Sequence, residues 1–76
     1  MNNDRRKSIN ELIEQLEGIQ SQIEEIKDEE EAYYDVMPES FQNGEKGEKA
    51  QSAIDNLDDA MNSVTEALDS LTSAAE

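Results

Sequence analysis

Cysteine and histidine are absent from this 76-residue sequence, proline occurs once, and the only aromatic residues are Tyr33, Tyr34 and Phe41. Those gaps exclude disulfide staples, structural zinc, haem ligation, a thiolate nucleophile and the usual neutral-pH acid or base. Long apolar runs are missing too. Nothing approaches the roughly 20 residues of a membrane span, and Met1 to Lys7 carries no signal-peptide core. The expected setting is therefore the cytoplasm, without a membrane partner. A chain this small rarely draws more than a few kcal/mol from one core, so helix pairing and self-association have to supply the rest.

Positive charge is scarce as well. Six basic residues face 20 acidic ones, for a formal net charge of −14. Arg5, Arg6 and Lys7 sit together near the start, so from Ser8 onward only Lys27, Lys46 and Lys49 oppose 19 acids. Such a body repels phosphates and anionic lipid heads, which argues against direct nucleic-acid binding, and it attracts basic protein surfaces or cations. Solubility alone is the plainer account of the same acidity.

What is present is a heptad pattern. Ile9, Leu12, Leu16, Ile19, Ile23, Ile26, Glu30, Tyr33 and Met37 alternate spacings of three and four, and so do Ala50, Ile54, Leu57, Met61, Val64, Leu68, Leu71 and Ala75. Ser8 with Glu11 forms a capping-box pattern that starts regular helix near Ile9, with Asn3 or Asp4 as alternative caps a turn earlier. Pro38 disfavours helix at Met37, and Asn43-Gly44 is a turn dipeptide. The expected fold is all-α: a helix over about 5–36, a turn over about 37–44 and a helix over about 45–74, closed into an antiparallel two-helix coiled-coil hairpin of rods about 45 Å long. Opposed seam residues then have numbers of nearly constant sum. The layers pair Tyr33 with Ala50, Glu30 with Ile54, Ile26 with Leu57, Ile23 with Met61, Ile19 with Val64, Leu16 with Leu68, Leu12 with Leu71, and Ile9 with Ala75.

Ala53, Ala60, Ala67 and Ala74 recur every seventh residue beside the second seam, and Ile13 flanks the first. Small residues in a column let another helix approach closely, and three apolar positions per heptad suit a bundle better than a lone pair. These five residues are the expected self-association surface of a homodimer that forms a four-helix bundle. Helix propensity alone is the other explanation for the alanines.

Carboxylates are so numerous that the nearness of any two carries no catalytic information. Two thin helices offer little concavity in which to tune one, and the Ser and Thr hydroxyls lack a histidine base. No enzymatic activity, cofactor or specific metal site is expected; Asp55, Asp58, Asp59 and the run Asp28 to Glu31 lie in helical pattern without the spacing of a calcium loop. Glu30, the one charged seam residue, is read as fixing register near the turn, or as facing a partner if that end opens.

Acids crowd toward the turn. Glu24, Glu25, Asp28, Glu29, Glu31, Asp35 and Glu39 surround Tyr34, which falls off the seam, and carboxylates interleaved with tyrosine suit an Arg-rich partner. These eight residues are the candidate partner-binding band. Tyr33, Met37 and Phe41 are expected to plug the open end of the hairpin. Spread over the rod, the 16 net charges from Ser8 onward give one per about 3 Å, near the spacing of a single DNA strand.

The stretch from Glu29 to Gln42, and its continuation through Gly47-Glu48 to Ala53-Ile54-Asp55-Asn56-Leu57-Asp58-Asp59-Ala60, resembles short acidic proteins of phages and mobile elements. Those share an E-E-x-x-x-Y-D-x-x-P-E-x-x-Q turn followed by an A-I-D-N-L-x-x-A helix. The resemblance spans about the last two-thirds of the chain and implies a hairpin acting in a host cytoplasm. It also implies the role small acidic proteins of such elements often take, inhibition of a host nuclease or defence protein by covering its basic surface. A structural assembly or adaptor module, working through its apolar seam, is the competing expectation.

Overall fold

A computed structural model describes every residue from Met1 to Glu76 and contains three helices, α1 (Asn3–Asp35), α2 (Glu39–Gln42) and α3 (Glu45–Ala74). Helix α1 starts earlier than the Ser8 capping box suggests. The Asn2 side chain accepts a hydrogen bond from the Arg5 backbone N–H at 2.8 Å, which satisfies one of the unpaired donors of the first turn. Ser8 is then mid-helix, and its hydroxyl donates to the Asp4 carbonyl at 3.1 Å. Arg6 secures this early start from the other helix, because its Nε donates at 3.1 Å to the carbonyl of Ala75, where the unpaired carbonyls of α3 gather.

The reversal is more structured than the expected turn over 37–44. Val36 closes α1, Pro38 stands extended at φ −56 and ψ 148, and a single turn of helix, α2, follows before Gly44 opens α3. Proline's fixed φ suits the position just ahead of a helix, where it has no N–H to leave unpaired. Gln42 folds back so that its Nε2 donates at 2.9 Å to the Tyr34 carbonyl, which also accepts from the Met37 backbone N–H at 3.1 Å, tying α2 to the end of α1. Gly47 is buried on α3 against this corner. A Cβ there would lie 1.9 Å from the Gln42 carbonyl oxygen, so only glycine lets α2 rest on α3.

Helices α1 and α3 pack antiparallel along their lengths into a rod of 58 × 14 × 12 Å. Two polar links set the axial register, Gln20 Nε2 to Thr65 Oγ1 at 2.9 Å and Lys27 Nζ to Asp58 Oδ1 at 2.6 Å. Both fall within two residues of the register expected from the heptads.

The rotation of α1 about its own axis differs from that expectation. Ile9, Leu16, Ile23 and Glu30 are half-buried as the seam requires, but the flanking column that turns inward is Ile13, Gln20, Lys27 and Tyr34. Leu12, Ile19, Ile26 and Tyr33, expected in the seam, keep 47%, 46%, 52% and 50% of their surface exposed. The reason lies in the links just named, since a rotation that buried Ile19 and Ile26 would carry Gln20 and Lys27 away from Thr65 and Asp58. Tyr33 accordingly does not close over Ala50, and Phe41, 49% exposed, does not plug the end; of the three residues expected there only Met37 is half-buried. Buried apolar side chains are limited to Ala50 and Ile54.

Candidate functional site

Each long helix presents seven columns of residues spaced by heptads, and the hairpin sorts them into two unlike flanks. On one flank run the polar links. Beside the Gln20–Lys27–Tyr34 column, Glu24, Asp28, Glu31 and Asp35 follow one another at spacings of four, three and four, a continuous acidic line on α1. Across from it α3 offers Asp58, which takes the Lys27 ammonium, and Asp55, which accepts from Gln51 Nε2 at 3.1 Å. Between the helices near the turn lies a shallow cleft of about 250 Å³ lined by Glu31, Tyr34, Asp35, Gln51 and Ile54. Tyr34 is half-buried there among carboxylates, so its ring forms a wall of this cleft.

The eight residues of the acidic band do not share one surface. Glu24, Asp28, Glu31, Tyr34 and Asp35 come together on the linked flank. Glu25 lies on the back of α1, away from α3; Glu29 belongs to the opposite flank, beside Ile26 and Tyr33; and Glu39 stands at the start of α2. Glu31 is already engaged, 3.6 Å from Lys27 Nζ. Each lysine after Ser8 is engaged too: Lys27 with Asp58 and Glu31, Lys49 with Glu45 at 3.3 Å, and Lys46 with its ammonium 5.3 Å from the centre of the Phe41 ring.

Lys27 is the one ionisable group whose affinity for protons is visibly displaced. The hydrogen bond to Asp58 raises its pKa above the ordinary 10.5, the charges of Asp58 and Glu31 add to the effect, and partial removal from water opposes it. It is also a residue whose part sequence reasoning missed. The signal was present, since Gln20, Lys27 and Tyr34 form a heptad column with Ile13, but its polar members concealed a second possible seam.

The other flank is nearly free of acid. Here α1 shows Leu12, Ile19, Ile26 and Tyr33 with Ser8, Gln15, Gln22 and Glu29 next to them; α3 shows Ala53, Ala60, Ala67 and Ala74 with Lys49, Asn56, Ser63 and Ser70 next to them. Glu29 is its single carboxylate. Of the five residues expected to mediate self-association, Ala53, Ala60 and Ala67 are half-buried at the edge of this flank, Ala74 is exposed, and Ile13 faces the linked flank, half-buried within the hairpin.

No three carboxylates converge in a way that could hold a metal ion, and no helix is long and apolar enough to cross a membrane. Compared with protein-family models, curated proteins and solved structures, the chain matches none. The turn motif nevertheless has a physical content of its own: Pro38 opens α2, Gln42 caps α1, and Gly47 lets the corner close.

Proposed function

We propose that this chain is a non-enzymatic acidic binding protein, of the phage-encoded inhibitor or decoy kind, which covers a basic, nucleic-acid-binding surface of a host nuclease or defence protein. The observation that carries the reading is the segregation of charge: the acidic line Glu24, Asp28, Glu31 and Asp35 runs along one flank while the other holds a single carboxylate. With a net charge of −14 on a rod 58 Å long, the spacing is about one charge per 4 Å, comparable to one DNA strand. Tyr34 and the cleft beside it add a flat aromatic wall at which a guanidinium can stack. Self-pairing into a four-helix bundle belongs to the same proposal, since two copies would double the charge per unit length.

A second reading, a structural assembly or adaptor module, is favoured by the exposed column Leu12, Ile19, Ile26 and Tyr33. The two are separated by a pull-down from bacterial lysate in which captured protein is eluted by a salt gradient and competed with duplex DNA. The decoy reading expects capture that salt and DNA both reverse, that Glu24→Lys with Asp28→Lys abolishes, and that an equal charge change on the back of α1, Glu11→Lys with Glu25→Lys, leaves largely intact. Capture indifferent to the flank substitutions and to DNA would refute it.

A further inference from the structure

The nearly acid-free flank has a geometry of its own. Set by the register of Gln20–Thr65 and Lys27–Asp58, Leu12 stands almost level with Ala74, Ile19 with Ala67, Ile26 with Ala60, and Tyr33 with Ala53. At every heptad, then, a large exposed side chain on α1 lies beside an alanine on α3. A ridge and a shallow trough run side by side for the length of the rod.

We infer that a second copy of this chain docks on this flank, related by a two-fold axis parallel to the rods, so that the Leu12–Ile19–Ile26–Tyr33 ridge of each copy seats on the alanine column of the other. This rests on the self-pairing part of the function proposed above, is independent of what the acidic flank binds, and relocates the contact from Ile13 to the ridge. Rotation about that axis keeps levels unchanged and exchanges ridge for trough, so large meets small in every layer and every neighbouring helix is antiparallel. A two-fold axis across the rods would instead set ridge against ridge and leave the alanines facing alanines.

Area and charge both specify this occupant. The chain exposes 5513 Å², against roughly 4,700 Å² for an ordinary folded monomer of its mass. The excess, about 800 Å², follows from the 58 × 14 × 12 Å rod shape and is large enough to supply what each partner contributes to a standard stable interface. Two chains of net charge −14 repel, and the flank with one carboxylate is where they can meet with the acids of both turned outward. A basic partner would be drawn to the other flank. Docking of a second copy must therefore tighten as salt screens the repulsion, whereas capture of a basic protein must weaken.

Sedimentation equilibrium on the full chain at micromolar concentration tests the inference. The expected mass is twice 8.5 kDa, with dimer affinity rising as salt goes from low to physiological. Ile19→Lys with Ile26→Lys should reduce the mass to that of one chain, while Glu24→Lys with Asp28→Lys should not. A monomeric wild type at about 100 μM would overturn self-pairing itself; a dimer untouched by the ridge substitutions would overturn only its location. Should the ridge variant lose its helical circular dichroism, cysteine cross-linking decides instead. Mixing Ile26→Cys chains with Ala60→Cys chains should give a covalent dimer that neither gives alone, and efficient cross-linking of Ile26→Cys chains with each other would refute the arrangement.

Discussion

The same substitution, glycine to alanine, is expected to have opposite signs at two positions of this rod. Gly18 lies in the middle of α1 with nothing within 4 Å of where a Cβ would be. Alanine there gains only helix propensity, about 1 kcal/mol, and for a domain of this size that raises Tm by about 4–8 °C. Gly47 also sits in a helix and gains the same propensity, but its Cβ would lie 1.9 Å from the Gln42 carbonyl oxygen, 2.4 Å from its carbonyl carbon and 2.6 Å from its Cα. These are backbone atoms, which cannot swing aside as a side chain would, so α2 has to lift from α3. Overpacking of this kind costs about 1–3 kcal/mol, and displacing Gln42 also removes its bond to the Tyr34 carbonyl, worth about 1 kcal/mol. Against the propensity gain the net loss is about 2 kcal/mol, a fall in Tm on the order of 10 °C. Thermal melts followed by circular dichroism at one fixed protein concentration measure both variants. If Gly47→Ala melts as high as Gly18→Ala, the close seating of α2 on α3 is wrong, and with it the physical account of the turn motif.

Removing the cap at the start of α1, Asn2→Ala, should cost about 1 kcal/mol of local stability and appear as faster amide exchange at Arg5 and Arg6, with little change in Tm. Gln42→Ala should lower Tm by about 4–8 °C through loss of its own bond to the Tyr34 carbonyl, which keeps the Met37 N–H as its other donor; an unchanged Tm would mean that water replaces the amide without loss. The Lys27–Asp58 link predicts an alkaline effect. A lysine whose pKa is raised on folding contributes stability that is fully present below its ordinary value of 10.5 and is lost as pH climbs through the raised value. The Tm difference between wild type and Lys27→Met should therefore be constant through neutral pH and shrink above about pH 10.5. A gap that persists at high pH would count against the link.

The two long helices, their antiparallel direction and their register to within two residues were legible in the sequence because they depend on quantities a sequence states openly: the heptad spacing of apolar residues, one proline, and one turn dipeptide. Helix α1 begins two residues ahead of the expected start near residue 5: Ser8 offers a capping pattern, but the cap that forms, Asn2, gains its advantage from a residue at the far end of the chain, as Arg6 reaches the Ala75 carbonyl. Helix α2 lies inside the expected turn, four residues being too few to show a period. Its placement depends on the Gln42 backbone seating against Gly47 and the Gln42 side chain reaching the Tyr34 carbonyl, contacts that no spacing rule encodes. The acidic band was legible as composition but not as a surface. Only the rotation of α1 shows that Glu24, Asp28, Glu31 and Asp35 share a flank while Glu25 and Glu29 point elsewhere.

That rotation is the one place where the rule of burying the most apolar face fails, and the failure is informative. Helix α1 contains two overlapping seams that share Ile9, Leu16, Ile23 and Glu30. One is completed by Leu12, Ile19, Ile26 and Tyr33; the other by Ile13, Gln20, Lys27 and Tyr34. A lone hairpin has room for one, and this hairpin closes on the more polar, where Thr65 and Asp58 satisfy Gln20 and Lys27. Full burial of a large apolar side chain is worth about 1.5–3 kcal/mol. Four residues left roughly half exposed therefore forgo on the order of 4 kcal/mol per chain, large beside the stability available to a domain this small. Closing on the apolar seam would recover that energy but strand the polar column on the surface and leave nothing for a second layer to hold. Closing on the polar seam orients each hairpin through its links and leaves the apolar column exposed; under the pairing inferred above, α1 would use its two seams in sequence, first to fold the hairpin and then to pair it.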